Sequence, residues 1–322
     1  MIDMQISAEI VDSKSWANLV KNFEERSVYH LLLDEWHKCN LIRGKIFYFI
    51  YETRDLIVGI PLVKHSIFPT AYSGGPIIHW LGFSFSAHIS DDMDRVELLT
   101  FIGRDLKNRF RYLEIVNPLY FEDIRPFLWI GFNSHVNYDY IFEGFDELRK
   151  RSQKYKKSLR WSLRYAEKMG VTVRETSIDS SLKEWLFAHK EEISRDKKRY
   201  EILNLPKVYK LLERLKDLDV LRVYVSKLPD GQIASVEIFL IDRKTGEAYR
   251  FLAFVSEAGR KAQAGPYTLD VALERLLDEG FSTIHLMGGN VKELSQFLSQ
   301  FRPRLRSYYT ITTHKIPLFS AR

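Results

Sequence analysis

The stretch from Leu148 to Val173, LRKRSQKYKKSLRWSLRYAEKMGVTV, constrains this chain more than any other segment. Apolar Leu148, Tyr155, Leu159, Leu163 and Ala166 recur at helical spacing, which predicts a long helix with one buried face. Gly170 suits a helix C-cap, and Val171 and Val173 open a strand. The rest of the helix carries Arg149, Lys150, Arg151, Lys154, Lys156, Lys157, Arg160, Arg164 and Lys168. Like charges three and four residues apart repel, so this crowding is easiest to explain if an anion sits nearby. A basic face opposite a core face is also what an ordinary solvated helix shows, and the sequence leaves both readings open.

The chain has 322 residues, enough for two ordinary domains. Its net charge of +6 fits an anionic partner such as a phosphate-bearing cofactor, a nucleotide-linked substrate or RNA. Cys39 is the single cysteine, which excludes an intrachain disulfide and argues against a thiolate metal site. No apolar run reaches the length of a membrane span. The N-terminus places Asp3 and Glu9 where a signal peptide is basic and then apolar, so the expected location is the cytoplasm.

The hydrophobic pattern reads as α/β (α+β) throughout. Asp12-Ser13 caps a first helix, and Val28 to Cys39 forms a second. Strands are expected at Lys45–Tyr51, Leu56–Leu62, Tyr112–Val116 and Val136–Ile141, with a helix over 91–109 capped by Ser90 or Asp91. The second half repeats the theme. Helices are expected at Ser181–Ser194, Lys207–Asp217 and Pro266–Glu279. Strands fall at Leu221–Ser226, Ile233–Ile241, Ala248–Val255, Thr283–Met287 and Tyr308–Thr312. Two related domains with mostly antiparallel mixed sheets follow, residues 1–145 and 146–322. The basic helix 146–169 opens the second.

Two places could carry chemistry. Glu237 is a carboxylate in the middle of the apolar strand Ile233–Ile241, where burial would raise its pKa towards that of a general base. A salt bridge to Arg250 on the next strand is the structural alternative. The second place is Gly259-Arg-Lys-Ala-Gln-Ala-Gly-Pro-Tyr-Thr-Leu269. Basic and glycine residues leading into a helix make a phosphate cradle, because unpaired N–H groups and the helix dipole point outward there. Gln263, Ala264 and Gly265 would line it. Tyr267 in the first turn could present its hydroxyl to a substrate, or simply pack. The nine histidines show no metal-ligand spacing, so no metal site is expected, and His285 reads as a satisfied core histidine.

Four stretches together resemble the FemAB-like acyltransferases, whose members carry two GNAT-like domains in tandem. Tyr72-Ser-Gly-Gly-Pro76 is similar to an aromatic-x-Gly-Gly-Pro bend of the first domain. Asp123 to Phe132, leading to Tyr138-Asp-Tyr140, is similar to the segment where that domain closes. Ser158 to Val171 resembles a basic helix ending in Arg-x-Ala-x-Lys-x-Gly-Val. Gly265 to Phe281, with Leu286-Met-Gly-Gly289 and Phe297–Phe301, resembles the closing part of the second domain.

The resemblance implies transfer of an acyl or aminoacyl group to an amine. The co-substrate would be acyl-CoA or aminoacyl-tRNA rather than a tightly bound cofactor. It places donor phosphates at Gln263 to Tyr267, although the usual loop, Gln/Arg-x-x-Gly-x-Gly/Ala, here reads Arg260-Lys-Ala-Gln-Ala-Gly265. Glu237 would deprotonate the amine, and Lys157, Arg160 and Arg164 would hold an anionic donor or acceptor in an inter-domain cleft. The expected partners are a small-molecule or nucleotide-linked acceptor, with tRNA a candidate and DNA not. The rival reading is a non-catalytic RNA- or nucleotide-binding protein that uses the same basic helix.

Overall fold

The computed structural model describes residues 6–64, 70–73, 78–88, 93–189 and 204–313. The chain forms two compact units, Met1–Asn137 with Ser307–Arg322, and Tyr138–Arg306. They divide at 137/138 and 306/307 rather than at 145/146, because two long strands begin in one unit and end in the other. These are β7 (Asn133–Glu143) and β13 (Arg304–Thr312).

The first unit runs β1 (Ser7–Val11), α1 (Ser13–Val20), α2 (Val28–Lys38), β2 (Lys45–Glu52), β3 (Ile57–Lys64), β4 (Thr70–Ser73), β5 (Ser84–Phe85), α3 (Met93–Arg109), β6 (Tyr112–Val116) and α4 (Arg125–Trp129), then enters β7. Asp12 caps α1 by accepting from the Ser15 amide at 2.8 Å, as its position before the apolar periodicity predicts. The antiparallel meander β1-β2-β3-β4 is followed by a parallel step from β4 to β6. Phe83, Phe85, Phe121 and Phe127 pack with Leu99, Ile102 and Leu106 of α3 to form the core. The Gly74-Gly75-Pro76 bend and the Ser90/Asp91 cap lie outside the described residues.

The second unit runs from the end of β7 through α5 (Phe145–Arg149), α6 (Arg151–Lys154), α7 (Lys157–Lys168), β8 (Thr172–Thr176), α8 (Ser180–Ala188), α9 (Leu205–Lys216), β9 (Leu221–Lys227), β10 (Ile233–Asp242), β11 (Glu247–Val255), α10 (Glu257–Lys261), α11 (Ala264–Asp278), β12 (Thr283–His285) and α12 (Lys292–Leu298). Its strands pair in the order β7-β12-β11-β10-β9-β8, antiparallel except for β11 with β12. One face of α11 buries Leu269, Ala272, Leu273 and Leu276 against Phe239, Ile241 and Ile284. α8 ends at Ala188, and residues 190–194 of the helix expected to reach Ser194 lie outside the described residues.

The single helix expected over 146–169 is three pieces. Tyr155 and Lys156 are extended, at φ −54°, ψ 141° and φ −59°, ψ 150°. Local propensity does not cause the break. The Tyr155 hydroxyl donates to Asp270 at 2.6 Å, its ring packs edge-on against Phe301, and the Lys156 amide donates to the Gln300 carbonyl at 3.0 Å. Distant partners hold these two residues out of the helical register. The end of α7 is as read from sequence: Gly170 takes φ 72° and the Val171 amide returns to the Ala166 carbonyl at 3.1 Å.

Candidate active site

The arrangement that matters is built on β11 in the second unit. β10 and β11 pair antiparallel, but the register shifts so that Ile238 faces Leu252 and Phe239 faces Arg250. Phe251 is the extra residue, a bulge that bends the strand and re-aims its side chains. On its other side β11 pairs with the parallel β12 only at Glu247–Thr283, Ala248–Ile284 and Tyr249–His285. β12 then ends, while β11 runs on to Val255. The two strands therefore part within the sheet.

The chain that follows β11 is anchored at this end. The Ser256 amide donates to the Ala234 carbonyl at 3.0 Å, and the Ser256 hydroxyl accepts from the Gly259 amide at 3.0 Å, which starts α10. A Cβ on Gly259 would stand 2.1 Å from the Ala234 carbonyl oxygen, so only glycine lets α10 lie this close to β10. Gln263 then takes the left-handed conformation, at φ 57° and ψ 30°, and α11 starts at Ala264. The helix begins two residues before Pro266, which falls within its first turn rather than opening it. A methyl on Gly265 would meet Val255 at 3.0 Å, so the first turn of α11 rests on the last residue of β11. The N-terminus of a 15-residue helix, with its amide donors and positive dipole end, thus lies at the end of the strand that has left its partner.

Gln263 occupies the position where the acyl-CoA loop pattern has its central glycine. The left-handed backbone there is the conformation that glycine adopts without penalty. The glutamine side chain is held on both sides: its Oε1 accepts from Ser162 of α7 at 2.9 Å and its Nε2 donates to the Arg260 carbonyl at 3.2 Å. Tyr267 is half-buried against Ala166, Val171 and Ala264. Burial, reinforced by the carboxylates of Glu167, Asp270 and Glu274, pushes its phenol up and keeps it protonated.

Glu237 is fully buried and paired with Arg250, whose Nε and Nη2 donate to its two carboxylate oxygens at 2.7 and 2.8 Å. The Arg250 guanidinium also lies 6.0 Å from the Phe297 ring centre. The two-toothed pair is the structural alternative raised from the sequence, and it leaves this carboxylate no role as a poised base. Lys157, Arg160 and Arg164 are exposed along α7.

Two features escape a reading of the sequence. His285, in the last pair before β11 and β12 part, is buried with Nδ1 3.0 Å from Asp139 Oδ2, and its ring stacks on Tyr249 at 4.5 Å and 7°. Burial pushes the Asp139 carboxyl up, while His285 draws it back. The histidine sits in the core as expected, and the Asp139 that holds its Nδ1 is 146 residues away, so no spacing could have named it. The second feature is a hollow of about 600 Å³ lined by Trp185, His189, Gln232, Ser256 and Glu257 among others. Ser256 immediately follows β11, so this hollow opens at the same end of the strand as the α11 N-terminus. The signal for it was faint: Trp185 and His189 lie four apart on a helix, and their rings are 4.7 Å apart.

Residues 153–293, which hold all these elements from α7 to β12, match the Acetyltransferase (GNAT) domain family. No curated protein matches the chain. Among solved structures the chain is similar to FemX, with 11% identity, TM-score 0.66, and 96% of this chain and 97% of that one covered. It is also similar to L-PGS from Bacillus licheniformis (12% identity, TM-score 0.60, 96% and 94% covered) and to a tandem GNAT protein from the clavulanic acid biosynthesis pathway (9%, 0.54, 96% and 98%). The fold is that of tandem GNAT proteins. The domain match covers residues 153–293, and the solved structures, all at 12% identity or below, share the fold of the whole chain. Nothing among them supports a non-catalytic RNA- or nucleotide-binding protein.

Proposed function

We propose that the chain transfers an acyl or aminoacyl group from an activated donor, acyl-CoA or aminoacyl-tRNA, to an amine acceptor, and that the second unit carries the reaction. The observation that supports this most is the parting of β11 from β12, with the N-terminus of α11 set at the end of the longer strand. Donor phosphate lies against the amides of Ala264 and Gly265, where the helix dipole favours negative charge. The exposed cations of α7 add to that field.

The acceptor enters the hollow beside Ser256. Its ammonium is a cation at neutral pH, and the Trp185 ring and Glu257 carboxylate suit such a group. The ammonium must lose a proton before its nitrogen can attack the acyl carbonyl. His189 Nδ1 lies 2.9 Å from the Trp185 carbonyl, which accepts from it. That bond fixes the tautomer and makes Nε2 the basic atom. The amine nitrogen bonds to the carbonyl carbon, the thioester or ester bond breaks, and the leaving sulfur or oxygen takes a proton. Tyr267, held protonated, is the candidate donor.

The test is an acyl-transfer assay with labelled acyl-CoA and, separately, aminoacyl-tRNA, against a panel of primary amines. Transfer by the native protein is expected, with kcat lowered roughly 10²-fold or more in His189→Gln, the usual scale of acid–base catalysis. Absence of transfer from either donor class to any amine would sink the proposal.

A further inference from the structure

Helix α7 carries a second apolar stripe that its core face does not explain. Leu159 and Ala166 are buried, while Trp161, Tyr165 and the C-cap residue Met169, four residues apart, follow another face of the helix. Trp161 is 58% exposed and Met169 43% exposed. The Trp161 and Tyr165 rings stack at 5.0 Å and 18°, so the ridge is ordered rather than a set of scattered side chains. At 100° per residue, Lys157, Arg164 and Lys168 fall beside this stripe, on the flank away from the buried face, and all three are exposed. The helix carries one carboxylate, Glu167.

We propose that this face of α7 is a docking surface for an anionic lipid surface. Trp and Tyr rings carry an apolar body and a polar edge and settle at the boundary between headgroup and acyl chain. Met169 extends the ridge by another turn. Lysine and arginine beside such a ridge meet lipid phosphates, and each contributes about 1 kcal/mol near an anionic membrane. A single-stranded nucleic acid also takes aromatic and basic residues, but it is held in a groove that tracks its backbone. Here the side chains follow one helix, neither of two pockets in the same unit is lined by them, and the third member has no ring on which a base could stack. The inference does not depend on the transfer reaction, and either can fail alone. It adds peripheral attachment to a chain in which, among the described residues, no helix is long and apolar enough to cross a membrane.

The experiment is co-sedimentation of the full chain with vesicles of phosphatidylcholine containing phosphatidylglycerol, and with phosphatidylcholine alone. Binding to the anionic vesicles is expected, weakening as salt is raised. Trp161→Ala should lower partitioning about ten-fold. Arg164→Ala should lower it about five-fold, the equivalent of one basic residue. Leu218→Ala, an exposed apolar residue of the same unit outside the stripe, should leave it unchanged. Trp161 is mostly exposed, so its replacement spares the core, and circular dichroism checks this. No binding to anionic vesicles overturns the proposal. So does binding indifferent to Trp161, or binding to single-stranded RNA in place of vesicles.

Discussion

Among the described residues each unit contains one parallel strand step, and the two differ in how far they are paired. In the first unit β4 pairs with β6 at all four of its residues, Thr70 to Ser73. The Ser73 hydroxyl then accepts from the Val116 amide at 2.8 Å, one residue past the last pair. In the second unit β11 pairs with β12 at three of its nine residues, and a bulge lies just beyond the last pair. Over the described residues, then, the first step is paired along its whole length and the second is not. What marks the second is that β11 runs on to Val255 after its last pair with β12 at Tyr249. An opening of this kind exposes backbone and needs buried support elsewhere, and β11 has it in Arg250, paired with Glu237 on β10.

The largest expected effect tests that support. Arg250→Met strands the Glu237 carboxylate in the core and should cost about 3–5 kcal/mol, the usual penalty for breaking a buried pair from one side. The double variant Glu237→Gln with Arg250→Met should recover much of that loss, since two neutral groups carry no desolvation debt. Urea denaturation of the two variants measures both. An Arg250→Met protein as stable as the native one would mean that β11 does not rely on the pair, and the contrast between the two steps would then need another cause.

The second effect belongs to the first unit and concerns pH. His30 sits in the cap of α2, accepting from the Ser27 amide through Nδ1 at 3.1 Å and donating from Nε2 to the Gly82 carbonyl at 3.0 Å. Burial lowers its pKa from 6.5 to about 4. Between those values the unfolded chain binds a proton that the folded one refuses. The stabilisation is therefore complete above pH 6.5 and is lost as pH falls towards 4, about 3 kcal/mol in all. Acid should loosen the first unit within that window. Denaturation midpoints followed from pH 7 to 4 should show a slope that His30→Gln flattens. An equal slope in both proteins would remove His30 as the source.

How much of this was legible can be judged residue by residue. Strands β9 to β11 followed from alternating apolar residues and the Pro229-Asp230-Gly231 and Lys244-Thr245-Gly246 turns, because their pattern is local. The end of α7 was legible for the same reason, since Gly170 supplies the positive φ that the cap requires. The break at Tyr155 was not, because its cause is Asp270, 115 residues on. Glu237 was singled out correctly as an anomaly, yet sequence could not choose between a free base and a partner of Arg250. That choice depends on the shifted register that brings position 250 beside 239. Helix α10 is not among the helices the sequence predicts, although Ser256-Glu257 is a fair cap signal.

The smallest expected effect concerns the junction where the open strand meets α11. Gln263 holds a left-handed backbone that costs a non-glycine residue about 1–2 kcal/mol. Its two side-chain hydrogen bonds, to Ser162 and Arg260, each contribute about 1 kcal/mol. Gln263→Gly relieves the backbone and loses the bonds, so stability should change by less than about 1 kcal/mol. Gln263→Ala keeps the strain and loses the bonds, and should cost about 1–2 kcal/mol. The order glutamine ≈ glycine > alanine in thermal unfolding is the signature of a left-handed position held by its side chain. If alanine proves as stable as glycine, the backbone there is not strained, and the parallel drawn with the glycine of the acyl-CoA loop falls. If the order holds, Gln263→Gly also asks a functional question. It restores the glycine of the loop pattern while removing the Ser162–Gln263 hydrogen bond, so any change in KM for acyl-CoA with kcat unaltered would locate donor binding at this junction rather than in the chemical step.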